Sequence, residues 1–179
     1  MKRIAISLAA TLALAACGGG GTASQATATP VKTTAAPTPT PTPQTKFVFT
    51  ADLKSTEENP PIAGTEATCA GSATVTIDQA AKTGVFEMNV RSCPADTEVA
   101  NAHIHKGPKG TNGAVVVPSG LTAGEFKLTG GAGTLTKNIA TIDAAVVTDI
   151  LANPDAFYFN IHSKTNAGGV IRAQLVKKA

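Results

Sequence analysis

The sequence predicts an all-β domain: a Greek-key sandwich or barrel of about eight strands with one short helix, preceded by a disordered tether. Three observations carry this expectation. The chain of 179 residues is poor in aromatics (4%), lacks Trp and is dominated by Ala, Thr, Gly and Val, which suits a core of small and β-branched side chains. Apolar residues alternate with polar ones in short runs. Gly, Asn and Pro punctuate those runs, and a single segment carries helical spacing.

Residues 1–16 read as an export signal. Met1-Lys2-Arg3 is a short positive start, and the apolar run Ile4 to Leu14 is too short to span a bilayer as an anchor. Leu14-Ala15-Ala16-Cys17 resembles the lipobox of bacterial lipoproteins. That resemblance implies that Cys17 becomes the lipidated first residue of the mature chain, anchoring it to a membrane of the bacterial cell envelope. Gly18 follows the cysteine in place of aspartate, which favours the outer membrane where the envelope has two membranes and the cell surface otherwise. The other reading is a secreted protein cut near Ala16. Residues 17–45 are a Gly/Ala/Thr/Pro-rich tether: four glycines, then a polyproline-like run that extends ~3 Å per residue and cannot form a core.

The folded domain is expected over residues 46–179. Phe47, Phe49, Ala51 and Leu53 share one face of a first strand, which Glu57-Glu58-Asn59-Pro60-Pro61 ends. Ser72 to Asp78 and Gly84 to Arg91 form a hairpin about Gln79-Ala80-Ala81-Lys82. Val99 to Lys106, Gly113 to Pro118, Gly124 to Thr129 and Gly133 to Ile139 read as further strands. Thr141 to Ala152 is the helix, with Val146/Ile150 and Val147/Leu151 at helical spacing and Pro154 closing it. Ala156 to His162 and Gly169 to Val176 complete the strands.

Two cysteines remain beyond Cys17. In an exported chain, Cys69 and Cys93 beside one hairpin read as a disulfide, the alternative being two buried thiols. Opposing the two directly puts odd positions against odd ones. Yet Val75 and Ile77 are odd while Phe86, Met88 and Val90 are even. Either a bulge intervenes near Gly71, or the cysteines lie just beyond the ladder.

Strand parity also orients the three histidines. Ala102 and Ile104 share one face, so Asn101, His103 and His105 share the other; Phe157, Phe159 and Ile161 oppose Tyr158, Asn160 and His162. Ile171, Ala173 and Leu175 turn Arg172 and Gln174 the same way. If the strands are neighbours, His103, His105 and His162 make one site with Asn101, Tyr158, Asn160 and Arg172 around it. Imidazoles two apart on a strand, about 7 Å at Cβ, converge on one ion, and imidazole-only ligation fits copper or zinc, not calcium or magnesium. The plain alternative is a solvated polar face.

Charge excludes one class. Two of the 15 basic residues, Lys2 and Arg3, fall in the export signal, leaving 13 against 12 acidic ones, with no surplus for nucleic acid. No Gly-x-Ser-x-Gly occurs, and Ser163, adjacent to His162 in the chain, faces away from it.

Three blocks carry a family resemblance. They are Leu53 with Glu57-Glu58-Asn59-Pro60-Pro61; Ala102 to Pro108 with Gly110 to Val116; and Phe157 to His162 with Gly168 to Leu175. In this order the chain resembles the CHRD (chordin-like) domain of bacterial secreted proteins, departing from its pattern at Ala167, Val170 and Ala173. The resemblance implies an extracellular β-domain with no assigned reaction. A fainter one, to copper/zinc superoxide dismutases, rests on the His-x-His strand, the later strand histidine and Asn166-Ala167-Gly168; three histidines are too few for a full copper/zinc site. The expected function is therefore a membrane-tethered module for an extracellular or periplasmic partner. The alternative is a copper-binding envelope protein using His103, His105 and His162, and the third reading a dismutase-like enzyme.

Overall fold

The computed structural model describes residues 43–179. The expected export signal, Cys17 and the tether up to residue 42 lie outside the described residues. The domain is all-β apart from one helix and short 3-10 turns. Nine strands, β1 (Lys46–Lys54), β2 (Ala70–Asp78), β3 (Thr83–Arg91), β4 (Val99–Lys106), β5 (Ala114–Pro118), β6 (Gly133–Ile139), β7 (Phe157–Ser163), β8 (Ile171–Gln174) and β9 (Val176–Lys177), form one sheet. Its order is β5-β4-β7-β8-β1-β2-β3-β6, with β9 also on β1, and every pairing is antiparallel.

The sheet curls into a half-barrel. β8 and β1 share a single ladder pair, Arg172 with Lys54. The rings of Phe86 on β3 and Phe159 on β7, with three strands between them, meet edge to face at 5.0 Å. Phe49, Leu53, Val75, Ile77, Ile104, Ile161 and Ile171 fill the interior around them. Each such burial contributes roughly 1.5–3 kcal/mol, which makes the period-two pattern decisive for the fold.

The hairpin follows its apolar residues. Ala73 pairs with Met88, Val75 with Phe86 and Ile77 with Gly84. Cys69 and Cys93 do form a disulfide, with Cα atoms 4.2 Å apart, but both lie just outside the ladder. Ser92, with φ of 61°, turns the chain after β3 so that Cys93 rather than residue 92 meets Cys69. No bulge near Gly71 is needed.

Three boundaries differ from expectation. Gly124 to Thr129 is not a strand. Glu125 accepts hydrogen bonds from the Thr122 backbone N–H and hydroxyl, closing the segment on itself, and only Thr129 bridges to Ala132. The helix α1 (Ala144–Ala152) starts three residues late, because Asp143 caps it by accepting from the N–H groups of Ala145 and Val146. Val147 and Ile150 are its buried residues. The final strand is split at Leu175, whose N–H still reaches Phe157 on β7 while Val176 pairs with Thr50 on β1.

Candidate metal centre

β4, β7 and β8 lie side by side. Asn101 faces His162, His103 faces Asn160 and His105 faces Tyr158; Asn160 and Tyr158 in turn face Arg172 and Gln174. The side of the sheet opposite Ile104, Phe159 and Ile161 thus gathers all three histidines. Ring centroids are 4.5 Å apart for His103 and His105, 4.4 Å for His103 and His162, and 6.0 Å for His105 and His162.

This face is not solvated. His103, His105 and His162 are only 7%, 8% and 7% exposed, and Tyr158, Asn160 and Arg172 are buried with them. Loops around residues 57–61, 107–113 and 166–169 cover the cluster, and the first two coincide with blocks that carry the family resemblance. Asn59 Nδ2 donates to the Gly110 carbonyl and Asn112 Nδ2 to the Asn59 carbonyl, both at 2.8 Å. Arg172 ties these first two together: Nε donates to the Glu57 carbonyl, and Nη1 donates to the Thr111 carbonyl at 3.2 Å and Asn112 Oδ1 at 2.8 Å. Its guanidinium lies 4.8 Å from the Tyr158 ring centre, and Tyr158 stacks on His105 at 4.7 Å. Asn101 stays exposed, its amide oxygen accepting from the Ala102 N–H and the Ser119 hydroxyl.

The covering loops also fix the rings. His105 Nδ1 meets the Gly113 carbonyl and His162 Nδ1 the Ala167 carbonyl, each at 2.8 Å. A carbonyl only accepts, so both Nδ1 atoms carry the proton and both Nε2 atoms keep a lone pair when the rings are neutral. All three Nε2 atoms are buried and unpartnered. Burial chiefly holds the rings neutral. It pushes His103 down to about 3, helped by the neighbouring His162 and His105. Burial also lowers His105, with His162 and Arg172 adding to the effect against the Gly113 carbonyl. For His162, burial outweighs the Ala167 carbonyl. One ring nitrogen from each histidine lies within 4.8 Å of those of the other two. Three neutral donors aimed at one point, two of them anchored through the far nitrogen, can hold a transition-metal ion.

Several contributors stand in or beside the resemblance blocks, but strand parity gives them no site role. Glu58 is buried with Oε2 3.8 Å from Arg172 Nε and Oε1 unpartnered; burial pushes its carboxyl up to about 7 against the pull of Arg172. Gly169, at φ of 132°, lets Asn160 and Glu58 press against it: a Cβ there would stand 2.5 Å from Asn160 Nδ2 and 2.8 Å from Glu58 Oε1. Ser163 points away from His162, as parity requires, and donates to the buried Glu66 at 2.6 Å.

The family model for the CHRD domain matches residues 49–175, which takes in the strands of the cluster and all three covering loops. The chain belongs to the CHRD family. No curated protein and no solved structure matches it.

Proposed function

We propose that this CHRD domain is a binding module of the bacterial cell envelope, held to the membrane by a lipid on Cys17, and that His103, His105 and His162 bind one copper or zinc ion within it. One observation carries the metal reading: three buried Nε2 atoms, all unpartnered, on rings held neutral. A buried polar atom left unpaired costs roughly 1–3 kcal/mol, so three on rings whose ligating nitrogens lie within 4.8 Å of one another call for a shared partner. A single water is the competing occupant: it can donate to Nε2 of His105 and His162 and accept from His103, whose proton no carbonyl fixes, so metal analysis decides between the two. No reaction is assigned, and the partner of the module is an extracellular or periplasmic molecule.

Metal analysis of the protein purified from its own envelope tests this reading. About one copper or zinc per chain is expected, with none retained when all three histidines are replaced by Ala. Equal metal content in both proteins would leave the plain structural module. Palmitate labelling of the wild-type chain, lost in Cys17→Ser, tests the anchor.

A further inference from the structure

The cluster has an unusual charge balance. Among the described residues, the group converging on one point is three histidines, with no carboxylate or thiolate. A permanent positive charge stands close by: the buried Arg172 guanidinium, linked to His105 through the Tyr158 ring. Its acidic neighbour, Glu58, stands 3.8 Å away, beyond hydrogen-bond reach, and Arg172 Nη2 is unpartnered. An ion here receives no neutralising charge from its ligands and lies beside a cation. The cost of burying an ion grows with the square of its charge, so a dication is penalised about four times as heavily as a monocation.

Coordination number points the same way. Three ring nitrogens are offered, so zinc would need a water as its fourth ligand inside a buried cluster, whereas a monovalent copper ion needs none. Three-coordination by neutral nitrogen is natural for a filled-shell monovalent ion. Three nitrogens at about 2.0 Å from one centre stand about 3.5 Å apart, so atoms within 4.8 Å need close by only about an ångström. His103, whose Nδ1 has no hydrogen-bond anchor among the described residues, is the ring able to move.

Resting on the metal reading above, we propose that the cluster is a monovalent-copper site, selecting Cu(I) over Zn(II) and Cu(II), with Arg172 as the residue that biases it against divalent ions. No electron transfer is required of the protein: copper arrives and is held as Cu(I).

Anaerobic competition of the mature chain decides this, with a chromophoric Cu(I) chelator in one arm and a zinc chelator in the other. The expected result is Cu(I) binding at least a hundredfold tighter than Zn(II), with an X-ray absorption edge of three-coordinate Cu(I). Zinc binding as tight as Cu(I) would overturn the selectivity while leaving a metal site. Binding of neither ion would overturn the metal reading itself. Arg172→Gln should narrow the Cu(I)/Zn(II) ratio about tenfold while Arg172→Lys preserves it, both checked for folding by circular dichroism. An unchanged ratio in folded Arg172→Gln removes the role of the guanidinium.

Discussion

The three imidazoles make the metal-free domain sensitive to acid. An unfolded histidine titrates near 6.5. In the folded chain all three stay neutral to lower pH, His103 to about 3. The unfolded chain therefore binds more protons across that window, and stability falls as pH drops from about 6.5 toward 3. Glu58 acts in the opposite sense. Its folded value of about 7 lies above the ordinary 4.5, so its contribution is lost as pH rises between the two. Thermal unfolding at several pH values should show the melting temperature of the metal-free chain dropping below pH 6.5, with a shallower drop in His103→Gln. Identical slopes would contradict the assignment. Gly113 is the other sensitive residue, because its carbonyl anchors His105 while its N–H donates to the Tyr158 hydroxyl at 3.1 Å. A Cβ there would stand 1.8 Å from the Lys106 carbonyl oxygen. Gly113→Ala should cost about 1–3 kcal/mol in urea unfolding and weaken metal binding, since the loop must shift away from both rings.

At the scale of elements, the hairpin shows which signal governs when two compete. The disulfide is compatible with several registers, whereas burial of Val75 against Phe86 is compatible with one. The covalent link therefore adapts, through the turn at Ser92, to the packing. Its loop spans a sequence separation of 24, worth roughly 3 kcal/mol in the chain-entropy model. Urea unfolding of the Cys69→Ser/Cys93→Ser chain should show a loss of that order with an intact fold; loss of the native β-sheet spectrum would mean that the link dictates register after all. Much of this level was legible beforehand, because period-two alternation is set locally. It placed Phe49, Ala51 and Leu53 inside and put the three histidines on one side of β4 and β7. Gly124 to Thr129 misled because a closed turn carrying one buried Phe126 alternates like a strand. The burial of the histidine face was not legible. What covers it are the loops around 57–61, 107–113 and 166–169, whose Asn, Pro and Gly residues have no periodicity to read.

For the whole molecule, an ion in the histidine cluster would be coupled to the fold. The cluster spans β4 and β7 and is closed by loops from three parts of the chain, so an ion bound there is bound by the folded state alone. Copper or zinc at a hundred times its dissociation constant should add about 2.7 kcal/mol, or roughly 10 °C in melting temperature for a domain of this size. Scanning calorimetry with and without the ion measures this, and the triple His→Ala chain should show no shift. The carbonyls that anchor His105 and His162 have a further consequence. Surface loops ordinarily lengthen and shorten with little penalty. Here the distance along the chain from Lys106 to Gly113, and from His162 to Ala167, decides which nitrogen of a ring holds its proton. One inserted residue adds up to ~3.3 Å of chain, enough to carry either carbonyl out of reach. These two loops therefore behave as rulers, and their lengths are as much a part of the site as the histidines.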